Sequence, residues 1–311
     1  MGNNIILSIC IPTFNRSDYL ESTILSIVNQ ARFQQTSDVE IIISDNFSND
    51  DTSKISLGFV EKYGEKVRYY RNDKNIADAN FEKVLSYGKG LFLKLNNDTL
   101  KHQDGSLDNL LQTITENKET RNILFFSNGA LNIDHTIICD DLNSFVKNVS
   151  FFSTWIGAFG IWRYDFEHIK DFSRFSNNQL VQTDVLFRLF QYKKPAIINN
   201  KELFISIRPN TKGGYDLIRV FLDNYIFLLN EQIKIGLLTK KIVKNEKKKL
   251  LLNHICYYMV NTKLNPEQYT FLHNDFFKKI FRHYKNNILT LFLFMLKYNT
   301  LLMRSYFKKE N

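Results

Sequence analysis

Three polar clusters hold most of the groups that could do chemistry in the first hundred residues. They are Pro12-Thr13-Phe14-Asn15-Arg16, Asp45-Asn46-Phe47-Ser48-Asn49-Asp50 and Asn96-Asn97-Asp98-Thr99. Asp45 ends an apolar run, where a carboxylate can accept hydrogen bonds from a ribose or a pyrimidine ring. The same residue could instead cap the following turn, because Asp-Asn-x-Ser is good turn chemistry. Asp50 could cap a helix starting at Thr52. No GxGxxG follows the first apolar run and no GxxxxGK[ST] occurs anywhere, so the dinucleotide and P-loop readings lose their main support. The six His are scattered without HxxxH or HExxH spacing, and Cys10, Cys139 and Cys256 lie far apart. A His- or Cys-based metal site is therefore not expected, and the cysteines fit a reducing compartment.

The elements that must position these clusters alternate regularly. Leu7–Pro12, Val39–Ser44, Val67–Tyr70, Leu91–Leu95 and Asn122–Phe126 read as strands. Ser17–Gln30, Thr52–Tyr63, Ala77–Tyr87 and Ser106–Asn117 carry apolar residues at helical spacing between them. Such alternation predicts an α/β fold with a largely parallel sheet flanked by helices, whose ligands bind beyond the carboxyl ends of the strands. The polar clusters fall at those ends.

From 130 to 215 the pattern is mixed, with Trp155 and Trp162 flanking Gly157 and Gly160. A helix is predicted over Thr183–Tyr192 and extended chain over Pro195–Ser206. After Lys212-Gly213-Gly214 the chain reads as helical: Tyr215–Ile235, Thr239–Asn261 and Asp275–Lys309. We therefore divide the chain at 1–214, with halves 1–130 and 131–214, and a helical extension at 215–311.

At 311 residues, 44 % hydrophobic and with only 12 Gly and 4 Pro, the chain is neither disordered nor collagen-like. Residues 1–110 hold 12 Lys+Arg against 15 Asp+Glu, whereas residues 230–311 hold 16 against 5. No signal sequence is read at the start, and the longest apolar run near the end, Ile288 to Leu296, is too short to span a bilayer, which needs about 20 residues. A cytoplasmic location is expected. In the tail, Lys278, Lys279, Arg282, Lys285, Lys297 and Arg304 alternate with Phe276, Phe277, Phe281, Phe292 and Phe294. That alternation fits a helix lying in an anionic membrane interface, peripheral at the inner face, and equally an ordinary packed helix with a solvated face. No zinc-finger, RNP or GXXG signature points to nucleic acid.

Four motifs occur in a telling order: Ser8–Arg16 (SICIPTFNR), Asp45–Thr52 (DNFSNDDT), Arg71–Asn80 (RNDKNIADAN) and Leu95–Leu100 (LNNDTL). Together they resemble the N-terminal half of family-2 glycosyltransferases, closest to those building bacterial capsular and O-antigen polysaccharides. The resemblance covers residues 7–130, with a looser likeness through Gln182-Thr183-Asp184 and Lys212-Gly213-Gly214-Tyr215. It implies a GT-A-type, Rossmann-like fold with a nucleoside-diphosphate-sugar donor and a saccharide or lipid-linked oligosaccharide acceptor. By the same resemblance Asp45 holds the nucleotide, with Pro12, Thr13, Asn15, Arg16 and Asn80 around it. Asp98 would bind Mn²⁺ or Mg²⁺ on the donor diphosphate, where hard oxygen ligands suit such ions. This chain has Asn96 where the family's Asp-x-Asp begins, and Asn96 and Asn97 are expected to touch substrate. Asp184, with Asp165 or Asp171 behind it, would take the acceptor's proton in an inverting transfer. Trp155 could floor the acceptor site, and Lys212 could meet phosphate. The alternative is a non-catalytic sugar-nucleotide binder within a polysaccharide assembly complex.

Overall fold

The structure is a computed structural model that describes residues 5–207, 211–272 and 275–309, the last five by backbone only. Residues 1–4 and His273 lie outside it. The chain forms two compact units: residues 1–148 with 152–207, and residues 149–151 with 208–311.

The first unit is built on a sheet of β1 (Leu7–Thr13), β2 (Val39–Asp45), β3 (Val67–Arg71), β4 (Phe92–Leu95) and, after three strands elsewhere, β8 (Gly160–Trp162). Their order is β3-β2-β1-β4-β8; all pairs are parallel except β4 with β8. β1 and β2 are buried on both faces, which explains why they read as continuous apolar runs rather than alternating ones. Leu7, Ile9 and Ile11 of β1 pack with Leu20, Ile24 and Ile27 of α1 (Ser17–Val28) in one core cluster. Each such side chain contributes about 1.5–3 kcal/mol by leaving water. This helix–strand contact anchors the turn that carries the first polar cluster.

Further helices of the unit are α2 (Ala31–Gln35), α3 (Thr52–Tyr63), α4 (Ala79–Ser86) and α5 (Ser106–Asn117). The strand expected at Asn122–Phe126 forms, as β6 (Ile123–Phe126), but outside the main sheet. It joins β7 (Thr136–Cys139) and β9 (Ala196–Asn199) in a second sheet of order β6-β9-β7. The antiparallel β8 takes the edge next to β4 instead. The extended run Pro195–Ser206 divides into β9 and β10 (Phe204–Ser206), and β10 pairs with β5 (Leu100–His102).

In the second unit, Lys212-Gly213-Gly214 is no loop. It lies in β11 (Lys212–Asp216), parallel to β12 (Tyr269–Leu272), so the Lys212 backbone belongs to a ladder. Gly213 has φ +139°, and a side chain there would meet the Thr270–Phe271 backbone at 2.6 Å, which requires glycine. Two of the long helices expected there are interrupted by π-helical turns at Arg219–Tyr225 and Leu250–Ile255. The third breaks at Lys285–Asn287 into Phe276–Tyr284 and Ile288–Lys309. Phe276, Tyr284, Phe294 and Tyr298 are buried, whereas Phe281, Ile288, Leu289, Phe292 and Leu296 are exposed. Among the described residues no helix is long and apolar enough to cross a membrane.

Candidate active site

Register alone brings the clusters together. Thr13 at the end of β1 stands opposite Asp45 at the end of β2, and Asp45 stands opposite Arg71 at the end of β3. The ladder continues past the strands: Asn46 N donates to Thr13 O (2.8 Å), Asn72 N to Asp45 O (2.9 Å) and Asn96 N to Cys10 O (2.8 Å). Beyond it the chain turns sharply. Asn15, Phe47 and Ala77 adopt left-handed φ of 51°, 72° and 48°, none of them glycine. Neighbours hold these turns. Asn15 N donates to Ser48 Oγ (2.9 Å), and Asn15 Oδ1 accepts from Asn49 N (2.8 Å).

Asp45 is fully buried. Its Oδ1 accepts from Ser48 N and its Oδ2 from the Tyr69 hydroxyl, both at 2.8 Å. The carboxylate therefore does cap its own turn. Burial, with Asp45 beside it, pushes the Tyr69 hydroxyl up to about 12, so it stays a donor. Arg71 Nε lies 3.7 Å from Asp45, and its guanidinium covers the exposed Phe47 ring at 5.1 Å. The sequence reading passed over Phe47, although a bulky residue between Asn46 and Ser48 in a tight turn is a signal of a face held outward. An exposed ring beside a cation is suited to stacking a base.

An amide network backs this rim. Asn80 Oδ1 accepts from Ser44 Oγ (2.6 Å) and Asn72 Nδ2 (2.9 Å), while Asn80 Nδ2 donates to Ser44 O (3.0 Å). Asn80 is 2 % exposed, so it clips the Asn72–Asn80 loop to β2 rather than presenting its amide outward. Asp78 in the same loop was also passed over. Burial pushes its carboxyl up to about 6, and its Oδ2 is buried with no hydrogen-bond partner among the described residues.

The third cluster joins the first. Thr13 Oγ1 donates to Asp98 Oδ2 (3.0 Å), and Arg16 reaches Asp98 Oδ1 at 3.4 Å. Burial pushes the Asp98 carboxyl up to about 6, with Arg16 and Thr13 pulling the other way. Asn97 Oδ1, the neighbouring hard oxygen, is buried without a hydrogen-bond partner among the described residues. A buried carboxylate and an orphaned amide oxygen side by side fit a divalent cation whose remaining ligands come from elsewhere. Among the described residues no three His, Cys, Asp or Glu groups form a site that would hold one alone.

Asn96 departs from expectation. Its Nδ2 donates to Asn97 O and Leu100 O, both at 3.0 Å, and its Oδ1 lies 3.1 Å from His102 Nε2. It is fully buried and turned away from Asp98's partners, because β5 and a His102 kept neutral by burial claim its amide. Trp155 packs partly against the core. A side chain at Gly157 would meet Leu100 at 2.7 Å, Trp155 at 3.0 Å and Asn97 Oδ1 at 3.1 Å, so Trp155 and Asn97 flank one glycine. Pro12 stays in β1 opposite Ser44.

Asp184 lies in the helix Val181–Leu189 and is 1 % exposed. Its carboxylate receives Arg174 bidentately, at 2.8 and 2.6 Å, and Arg188 Nε at 3.0 Å. Both oxygens are thus engaged by Arg174, and the buried carboxylate meets Arg188 as an ion pair. Asp165 is likewise bound, by Lys194 at 2.8 and 2.9 Å, and Asp171 is exposed. Lys212 belongs to the second unit, where its ammonium bonds the Tyr258 hydroxyl.

The model of glycosyl transferase family 2 matches residues 8–169, just over half of the chain, and the protein belongs to that family. The fold is the GT-A type of glycosyltransferases. Over 86 residues the chain is 41 % identical to abequosyltransferase RfbV of Salmonella typhimurium, covering 27 % of this chain and 25 % of that protein. Over 112 residues it is 34 % identical to the GalNAc(5)-diNAcBac-PP-undecaprenol beta-1,3-glucosyltransferase of Campylobacter jejuni, covering 35 % of each. The matched segments thus span about a quarter to a third of these relatives. Among solved structures, S. aureus TarS 1-349 in complex with UDP-GlcNAc superposes with TM-score 0.58 at 13 % identity, covering 84 % of this chain and 76 % of that one. The mannosyltransferase PcManGT from Pyrobaculum calidifontis, in complex with GDP-Man and Mn²⁺, gives 0.57 at 13 %, covering 81 % and 71 %.

Proposed function

We propose that the protein is an inverting glycosyltransferase of bacterial surface-polysaccharide assembly. It moves a sugar from a nucleoside-diphosphate donor to a saccharide acceptor on a lipid carrier, at the inner face of the membrane. The observation that carries this reading is the Thr13–Asp98–Arg16 cluster, a buried carboxyl and a cation at the carboxyl edge of the parallel sheet. The relatives named as an abequosyltransferase and as a glucosyltransferase for a PP-undecaprenol-linked saccharide support a sugar transfer and a lipid carrier.

The nucleotide lies over Phe47, between Asp45's turn and the Asn72–Asn80 loop. Asp98 and Asn97 hold a Mn²⁺ or Mg²⁺ that would neutralise charge on the leaving diphosphate. Arg16, half exposed, is placed to share that charge. Asp184 accepts the acceptor's proton in a state in which Arg174 has swung out. Arg174's side chain is 32 % exposed against 10 % for Arg188, so it is the partner able to leave. The exposed Phe281, Ile288, Phe292 and Leu296 supply the membrane contact, since no acidic residue lies between Phe276 and Lys309 to oppose anionic lipid.

A second reading, a non-catalytic sugar-nucleotide binder, is favoured by the single carboxylate at the cation position. Thermal-shift titration with nucleoside diphosphates, with and without Mn²⁺, followed by donor turnover, tests both. The enzyme reading requires cation-dependent stabilisation and release of free nucleoside diphosphate, both lost in Asp98→Ala. Stabilisation without turnover on any donor leaves the binder.

A further inference from the structure

The second unit contains a cationic groove that sugar transfer does not use. It has a volume of about 670 Å³ and is lined by Lys234, Lys240, Lys244, Lys247, Lys248 and His283. Lys240, Lys244 and Lys248 are exposed and stacked at four-residue spacing on the helix Lys240–Lys249. Like charges so placed repel one another and destabilise the helix. Among the described residues no carboxylate lies within ion-pair distance of any of the three, or of Lys247; Lys234 has Glu231, and His283 Nε2 lies 2.8 Å from Asp223. Glu246 of the same helix is turned inward to Ser150. Lys247 is half-buried, and burial holds its ammonium below the usual range. Its one polar contact among the described residues is with the His283 carbonyl, at 3.3 Å.

We infer that this groove binds a phosphate-bearing ligand, a phosphomonoester or diphosphate. Several ammonium groups without counter-ions, one of them partly desolvated, converge on a space of headgroup size. Lysine acts as a point charge toward phosphate, while planar carboxylate recognition favours arginine. Stacked bases are disfavoured, because the one aromatic lining the groove, Tyr284, is 3 % exposed and donates its hydroxyl to Lys247 O. Val243 and Ile233 add an apolar wall that suits a hydrocarbon stem. At one end Asn287 caps the helix Ile288–Lys309, accepting from Thr290 N at 3.2 Å, and the exposed Ile288 and Leu289 begin there. The phosphate can therefore come from a lipid headgroup or from a free soluble species.

The test uses the full chain without any sugar donor. Binding of inorganic pyrophosphate is measured by calorimetry, and binding to phosphatidylcholine vesicles with or without phosphatidic acid by co-sedimentation. The groove variant replaces Lys240, Lys244 and Lys248 by Gln; a second variant replaces them by Arg; a control replaces Lys54, Lys62 and Lys118 by Gln. Arg16→Ala, measured alongside, removes anion binding at the donor site. The Gln groove variant should bind at least about tenfold more weakly, with the Arg variant and the control close to wild type, and the loss should persist when Arg16→Ala is combined with each. Loss with pyrophosphate identifies a soluble ligand; loss only with phosphatidic acid vesicles identifies a headgroup. Equal losses in groove and control variants, or no binding of either probe by wild type, would overturn the inference.

Discussion

Replacing Asp184 by Asn keeps the shape of the side chain, removes its charge and abolishes its ability to take a proton. The structure gives this change two separable consequences. Arg188 and Arg174 would lose the carboxylate that both contact. Removing one partner of a buried ion pair costs about 3–5 kcal/mol. Water reaches Arg174 and recovers part of that, so the lower end, about 3 kcal/mol, applies. In a unit of roughly 200 residues this lowers Tm by about 6–12 °C. With total stability near 10 kcal/mol, the remaining 7 still leaves the unfolded fraction below about one in ten thousand at 25 °C. Unfolding therefore cannot account for a slow reaction at that temperature. If Asp184 is the base, single-turnover transfer at saturating donor should fall by about 100-fold or more, with donor affinity unchanged. Scanning fluorimetry, rapid-quench transfer and donor titration on one preparation measure all three. A Tm within a degree of wild type would refute the ion-pair argument, and transfer within about threefold of wild type would remove Asp184 from the chemistry.

The Asp98 carboxyl, raised to about 6, should make cation-dependent nucleotide binding weaken about tenfold per unit as pH falls below 6, a slope that calorimetry should find absent in Asp98→Asn. Because the folded chain holds that proton more tightly than the unfolded one, the same shift lowers stability as pH rises from about 4 to 6. Lys94 is fully buried, donating to Gly157 O at 2.7 Å and to Leu95 O at 3.1 Å, and burial pushes its ammonium down to about 7. The unfolded chain then holds a proton that the folded one lacks, so urea stability should climb from pH 7 toward 10.5, and Lys94→Met should flatten that climb. Replacing Ile288, Phe292 and Leu296 together by Ser should abolish co-sedimentation with anionic vesicles while moving Tm by less than about 2 °C, because all three side chains are exposed.

Much of the first unit was legible because β1 and β2 are unbroken apolar runs and the helices between them keep a 3.6-residue period. Parallel order then places Thr13, Asp45 and Asp98 at one edge without further information. The strand Ile123–Phe126 was legible as a strand but not as part of a second sheet, since its partner, Ala196–Asn199, lies far along the chain. Direction of side chains was the larger loss. Nothing in Asn96-Asn97-Asp98 says that the first amide is spent on His102 while the last carboxylate meets Thr13. Asp184 read as a base at a helix start, and its ion pairs went unseen because one of its partners, Arg174, precedes the helix by several irregular residues. Lys212-Gly213-Gly214 looked like a loop since the pairing that makes it a strand lies more than fifty residues on, at Tyr269–Leu272.

The three left-handed turns at Asn15, Phe47 and Ala77 bear on how this enzyme could be engineered. Each sits in a backbone well that costs a residue with a side chain on the order of 1–3 kcal/mol, and less for Asn. A screen for thermostability would therefore favour glycine at Phe47 and Ala77, where the relief is greatest. Such gains would come at the rim that holds the Phe47 ring outward and the Asn72–Asn80 loop in place, trading activity for melting temperature. A library meant to change donor choice should leave these three positions fixed, together with Asn75, whose Oδ1 accepts from Ala77 N at 2.8 Å, and vary the exposed Phe14 beside them.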